Sequence, residues 1–268
     1  MSPFVSIVTV SLNADATIDD TLASVVRQER MFEIEHICVD GGSTDRTRAL
    51  IDEWSARCGH IKRIYERDKG IYDAMNKGLR AAAGEYVLFL NADDFLVANN
   101  TLTTALQGLT PGADGNPDLI AGDVSMGTIG QRGLWRHRRV PRLLARLRGT
   151  GLFPVHQGRF VKRSMLEAVG GFDPDLRLAS DVTQYYDMER QFPLNMRIFP
   201  TDVAFMRAGG AANNGVKAMY LGTREIYRHL LGAHGPVRAA SMALVKTVQS
   251  LSELRFGKCP HERWFAMK

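Results

Sequence analysis

Four short strand-like runs in the first 95 residues each lead into an acid or an amide. Residues 4–11, FVSIVTVS, are followed by Asn13. Residues 34–40, IEHICVD, end on Asp40. Residues 60–66, HIKRIYE, precede Asp68, and residues 85–90, EYVLFL, precede Asn91, Asp93 and Asp94. Their β-branched content reads as strand, while the segments between them have helical spacing, as at Ile18, Leu22, Val25 and Val26. Asp15 or Thr17 is a plausible N-cap for that first helix, and Gly84 closes the third. Strand and helix in alternation specify a parallel sheet covered by helices, because parallel strands need crossovers. Ligands on such sheets bind beyond the carboxyl ends of the strands. Four polar clusters at that one edge point to a site rather than to four unrelated turns.

The second half is less regular. Residues 118–126, DLIAGDVSM, read as a strand, GRFVKR as another, and SMLEAVGG as a helix capped by Ser164. ASDVTQYYDMERQ is helical in pattern, and NMRIFPTDVAFMR reads as a strand pair or ribbon. Two helices, 216–232 and 236–256, close the chain. The spacing of Met242, Val245, Val248, Leu251 and Leu254 suits packing on the domain or on a second copy.

With 268 residues, 45% hydrophobic and 24% charged, the composition is that of an ordinary globular protein of one large domain or two small ones. Cys38, Cys58 and Cys259 are odd in number and show no CxxC spacing. That argues against a disulfide framework or a zinc site, and for a reducing cytosol. MSPFVSIVTV has no basic leader, so no signal peptide is expected, and no apolar run approaches the roughly 18–20 residues of a membrane span. The expected protein is soluble or peripheral.

Net charge is +5, but residues 131–150 hold seven arginines and no acid. Taking those seven from the 34 basic residues leaves 27 against 29 acidic ones, so the excess is local. The segment reads as a loop and a short helix. Trp135, Leu134, Leu143, Leu144 and Leu147 interleave its arginines. It suits an anionic membrane surface, at about 1 kcal/mol per basic residue, the diphosphate of a lipid-linked acceptor, or plain solvation.

Among the acids, Asn91 and Asp93 are two apart, so in a strand they share a side. Hard cations such as Mg²⁺ and Mn²⁺ take such oxygens together with substrate phosphates. A β-turn uses the same residue types. Asp40, followed by Gly41 and Gly42, suits a ribose or base that the backbone approaches closely, although helix capping explains part of VDGGSTDRT. In RDKGIYDAMNKG, Asp68, Asp73, Lys69 and Lys77 suit either a site or a solvated helix face.

VSIVTVSLNADATIDDTLASVVRQ, ICVDGGSTDRT and DKGIYDAMNKGLRAAAGEYVLFLNADD together resemble the nucleotide-binding half of family 2 glycosyltransferases with the GT-A fold. HQGRFVKRSMLEAVGGFDPDLRLASD resembles the acceptor half of bacterial members that build exopolysaccharide or O-antigen units. The resemblance implies an α/β GT-A fold with a Rossmann-like, mostly parallel sheet and C-terminal helices. It implies a glycosyltransferase domain over 1–215, divided at 95 into nucleotide and acceptor halves, and a helical extension over 216–268. It also implies roles. Thr9 and Asn13 line the nucleotide pocket, and Asp40 and Gly42 meet the base or ribose. Asp68, Asp73 and Lys77 lie near the nucleotide and diphosphate. Asn91, Ala92 and Asp93 occupy the DxD positions, with Asp93 and Asn91 toward Mn²⁺ or Mg²⁺. Asp181 matches the catalytic base, an acid that a helix N-terminus would favour in any case. Asp94, His156, Gln157, Arg136, Arg138 and Arg139 are acceptor-side candidates, and a structural role for His156 stays open.

The implied reaction is inverting transfer from a nucleotide-diphosphate sugar, UDP before GDP, to a lipid-linked glycan, cytoplasmic and peripheral at the bacterial inner membrane, by a protein that binds no nucleic acid and is a candidate homo-oligomer. Competing readings are a GT-A module without turnover and a basic nucleic-acid-binding protein, for which no recognised motif is present. A Rossmann oxidoreductase lacks its GxGxxG after the first strand.

Overall fold

The computed structural model describes residues 2–29, 31–128, 132–140, 149–208, 215–252 and 254–258. In its first half the alternation is realised. β1 (Val5–Ser11), β2 (Ile34–Asp40), β3 (Ile61–Tyr65) and β4 (Tyr86–Phe89) run parallel in the order β3-β2-β1-β4. β1 and β2 are buried along their whole length, as strands covered on both faces must be. α1 (Ile18–Val26), α2 (Thr47–Arg57) and α3 (Ile71–Ala81) are the crossovers. α3 packs tightly on the sheet, because a Cβ on Gly78 would lie 2.2 Å from Val8 Cγ1.

Beyond β4 the sheet is mixed. β8 (Arg159–Lys162) is antiparallel to β4, and β6 (Leu119–Gly127) is antiparallel to β8. NMRIFPTDVAFMR is not a ribbon. It forms one strand, β9 (Met196–Arg207), parallel to β6 and antiparallel to the short β5 (Asp94–Leu96). The sequence breaks at Pro200 because the β6–β9 ladder shifts register there, and an irregular ladder tolerates proline.

The first part of the Arg-rich segment is also a strand rather than a loop and short helix. β7 (Arg132–Arg138) pairs antiparallel with β6, and its outer edge is covered by β10 (Leu254–Lys258). The last helix accordingly stops at Ser252, short of the 256 expected, since an open strand edge offers better backbone partners than a fraying helix end. Residues 141–148 of the Arg-rich segment lie outside the described residues.

The remaining helices are α4 (Thr101–Leu106), α5 (Arg163–Ala168), α6 (Ser180–Gln191), α7 (Gly215–His234) and α8 (Pro236–Ser252). Ser164 lies inside α5 and does not cap it. Ile226, Leu230, Ala239 and Met242 seat α7 and α8 in the main core, alongside Val8, Met75 and Tyr185. Among the described residues no helix is long and apolar enough to cross a membrane.

Candidate active site

A cavity of about 500 Å³ opens beyond the carboxyl ends of β1 and β4. Asn13 and Asp68 line one side. Asn91, Ala92, Asp93 and Asp94 form its floor, and Arg138, His156, Gln157 and Asp181 form the opposite side. Ten of the sequence candidates, from both halves of the chain, therefore share one space.

The other seven do not line it. Thr9 is fully buried, its hydroxyl 2.8 Å from His36 Nε2, so it supports β1 instead of facing the cavity. The Asp40 carboxylate accepts from the Gly42 and Ser43 amides at 3.1 and 2.9 Å, from Arg48 Nε at 2.6 Å and from the Ser43 hydroxyl. Burial opposes its ionisation, and these bonds outweigh burial to hold its pKa below the ordinary carboxylate value. Gly42 has a φ of 111°, open to glycine at little cost. Its neighbour Gly41 has no room for a side chain, since a Cβ would lie 1.9 Å from Asp68 Oδ2. The pair of glycines thus lets Asp68 approach the β2 turn. Asp73 accepts from the Lys69 amide at 3.0 Å and Lys77 Nζ donates to the Arg67 carbonyl at 2.5 Å, so both fasten the loop that carries Asp68. Arg136 is on β7 but off the cavity wall, and Arg139 is exposed, its Nε 3.3 Å from His137 Nδ1.

Asn13 holds the rim together. It adopts a φ of 50°, which asparagine tolerates, and its Oδ1 accepts from the Thr44 amide at 2.9 Å. Its own amide donates to Ser43 Oγ at 2.8 Å, so the loops after β1 and β2 are stapled together.

A hydrogen-bonded chain joins the two sides of the cavity. Asn91 Nδ2 is 3.5 Å from His156 Nε2, and His156 Nδ1 is 2.9 Å from Asp181 Oδ2. The Tyr72 hydroxyl donates to Asp181 Oδ1 at 3.4 Å, and Arg159 donates to the Asp181 carbonyl at 2.9 Å. Burial would raise the Asp181 pKa. The His156 hydrogen bond and the charges of His156, Arg159 and Arg138 overcome this and hold it at about 2. Asp93 and Asp94 shift the other way. Burial raises both, and for Asp94 the Asp93 carboxylate pushes further, to well above the ordinary value. Gln157 Nε2 donates to Asp94 Oδ2 at 3.0 Å. Asn91 Oδ1 is buried and has no hydrogen-bond partner among the described residues. A buried, unpaired oxygen beside two carboxylates short of countercharge is a donor set that fits a hard divalent cation.

Sequence reasoning did not single out Tyr72, Arg159, Arg177, Arg207 or Lys246. Arg207 lines the cavity, donates to the Asp93 carbonyl at 3.2 Å and pairs with Asp20. Tyr72, Arg159 and Arg177 lie inside the quoted motifs and were within reach. Arg207 and Lys246 come from the end of β9 and from α8, and only the fold brings them in.

The family model for glycosyl transferase family 2 matches residues 6–170, from Ser6 of β1 through β8, which hold nine of the ten sequence candidates that line the cavity. The chain belongs to glycosyltransferase family 2. It is 32% identical over 182 residues to the PGL/p-HBAD biosynthesis glycosyltransferase of Mycobacterium tuberculosis, covering 67% of each protein. The structure resembles that of Staphylococcus aureus TarS 1-349 in complex with UDP-GlcNAc, with a TM-score of 0.64 at 18% identity, over 92% of this chain and 72% of that one. It spans 43% of a longer TarS chain. It also resembles the mannosyltransferase PcManGT of Pyrobaculum calidifontis in complex with GDP-Man and Mn²⁺, with a TM-score of 0.62 at 19% identity, covering all of this chain and 79% of that one. The expected α/β GT-A fold is therefore the fold of this family 2 glycosyltransferase.

Proposed function

We propose that this glycosyltransferase moves a sugar from a nucleotide-diphosphate donor to a hydroxyl of a lipid-linked glycan, with inversion, in bacterial surface polysaccharide synthesis. One observation carries the reading. The paired acids of the β4 end and the Asp181 carboxylate face a single cavity, and His156 links Asp181 to Asn91 beside those acids. The UDP-GlcNAc and GDP-Man of the structural neighbours support a nucleotide-sugar donor, and we take UDP before GDP.

Asp93 and Asn91 would hold Mn²⁺ or Mg²⁺. When bound, such an ion neutralises charge developing on a leaving diphosphate. Asp68, Asn13 and the backbone opened by Gly41 lie on the nucleotide side. Asp181 is held ionised across the cavity, where it accepts the acceptor's hydroxyl proton as the new bond forms. Arg138 and Arg177 line that side and suit an anionic acceptor group. The basic β7 strand beside them suits an anionic inner-membrane face.

A second reading has its own support. A carboxylate with a pKa of about 2 is a weak base, and its Oδ2 is already engaged by His156 Nδ1. In that reading His156 takes the proton at Nε2 and Asp181 orients the ring. The pH profile separates the two. An Asp181 base leaves kcat flat well below pH 5, and an acid limb above that range would rule it out.

The test of the main reading is transfer from UDP-, GDP- and dTDP-sugars with Mn²⁺. Asp93→Ala is expected to abolish transfer. Asp181→Asn is expected to lower kcat on the order of 10²–10⁴-fold while donor KM is kept. An active Asp93→Ala enzyme overturns the assignment.

A further inference from the structure

A second donor cluster lies on the other face of the sheet. Asp123 of β6 and Asp202 of β9 are direct cross-strand partners, and the ladder shifts register on both sides of Asp123. Two carboxylates placed directly opposite each other repel, and bulges are where ladders re-aim side chains. His137 of β7 reaches the same point. Its Nε2 is 2.9 Å from Asp202 Oδ1 and 3.7 Å from Asp123 Oδ2. The three ligand atoms all lie within 4.8 Å of one another. A tetrahedral ion with bonds of about 2.0–2.1 Å sets its ligand atoms roughly 3.3 Å apart, a value that the two histidine distances bracket.

The surroundings hold the cluster in place. Ser125 Oγ donates to Asp202 Oδ2 at 2.8 Å, and the Val140 amide donates to Asp123 Oδ1 at 2.8 Å, so each carboxylate is oriented by a second partner. Asp123, His137 and Asp202 also line a cavity of about 420 Å³ with Thr101, Thr104 and Phe199. That cavity shares no lining residue with the catalytic one. Strand alternation gives the reason: His137 and Arg138 are neighbours on β7 and point to opposite faces, one into each cavity.

We propose that Asp123, His137 and Asp202 bind a divalent cation of the zinc class. One imidazole with two carboxylates suits Zn²⁺ better than Mg²⁺, which prefers oxygens and keeps its waters. The site needs no cysteine, and the smaller cavity leaves water access to the remaining coordination positions. The ion ties β6, β7 and β9 together. By fixing β7 it holds the strand that delivers Arg138 to the catalytic cavity, a separate role from that of any ion at Asp93.

The test uses the full chain, freed of metal by chelation and then titrated with Zn²⁺ or with Co²⁺ as a spectroscopic substitute. One equivalent is expected to bind in the Asp93→Ala background, to raise Tm, and to give Co²⁺ visible bands. His137→Ala and Asp202→Asn are each expected to weaken that binding at least tenfold. Asp202→Asn keeps size and an acceptor for Ser125, so it decides the matter where His137→Ala fails to fold. Equal affinity in Asp202→Asn overturns the proposal, as does loss of binding in Asp93→Ala. Binding only at millimolar Zn²⁺, an adventitious ion only, also overturns it.

Discussion

At the residue scale, the amide in the Asn91-Ala92-Asp93-Asp94 run has a physical explanation. Its Nδ2 supplies the hydrogen that His156 Nε2 accepts, and its Oδ1 remains available to a cation. An aspartate offers no such donor, and it would add a third carboxylate beside two that are already hard to ionise. Asp94 illustrates the cost. Its folded pKa is raised, so the folded state holds this proton more tightly than the unfolded chain does. Stability is then favoured while Asp94 is protonated, and it falls as pH rises from the unfolded value near 4 toward the raised one. Asp94→Asn keeps an oxygen to accept from Gln157 and removes the penalty. Without metal, it is expected to raise the urea midpoint at pH 8 relative to the wild type, with the gain shrinking toward pH 4. A constant gain at all pH values would assign the effect to packing instead.

At the element scale, α3 shows what was legible. Its apolar spacing and its place after a polar loop were readable, but its closeness to β1 was not. A glycine inside a helix ordinarily costs about 1 kcal/mol, so its presence in a helical pattern marks a contact without naming the partner. The partner is Val8, and Gly78→Ala forces its methyl aside. Overpacking of this kind costs about 1–3 kcal/mol. At roughly 2–4 °C per kcal/mol for a chain of about this size, Tm is expected to fall by several degrees. Val8→Ala should recover part of that loss in the double variant, and strict additivity would mean that the two do not touch. β7 and β10 were less legible for a different reason. A basic strand at a sheet edge and the segment that covers it owe their state to each other, and neither has a strong local signal. The Arg-rich run showed where charge sits but not that it forms a strand with Arg138 toward one cavity and His137 toward the other.

At the scale of the whole molecule, the first four strands and their polar ends were readable because the parallel half is built from local alternation. The cavity's far side was not, since it is assembled from segments distant in sequence. Ala218, Gly222 and Lys246, from α7 and α8, line the cavity together with Asn13 and Asp93. Helical spacing had shown that α8 has an apolar stripe, without showing what covers it. In the structure Ile226, Leu230 and Met242 are buried in the same core as β1 and α6, while Val237, Leu244 and Val248 stay exposed. Burying each of the three large core side chains is worth about 1.5–3 kcal/mol, so together they approach the 5–15 kcal/mol that holds a typical domain folded. A chain ending at residue 215 is therefore expected to lose near-ultraviolet CD and cooperative unfolding. A chain ending at residue 252 keeps α7 and α8, gives up among the described residues only the β10 cover of β7, and is expected to remain folded with a lower Tm. A cooperative transition in the 1–215 chain would mean that the two helices lean on a domain already stable without them.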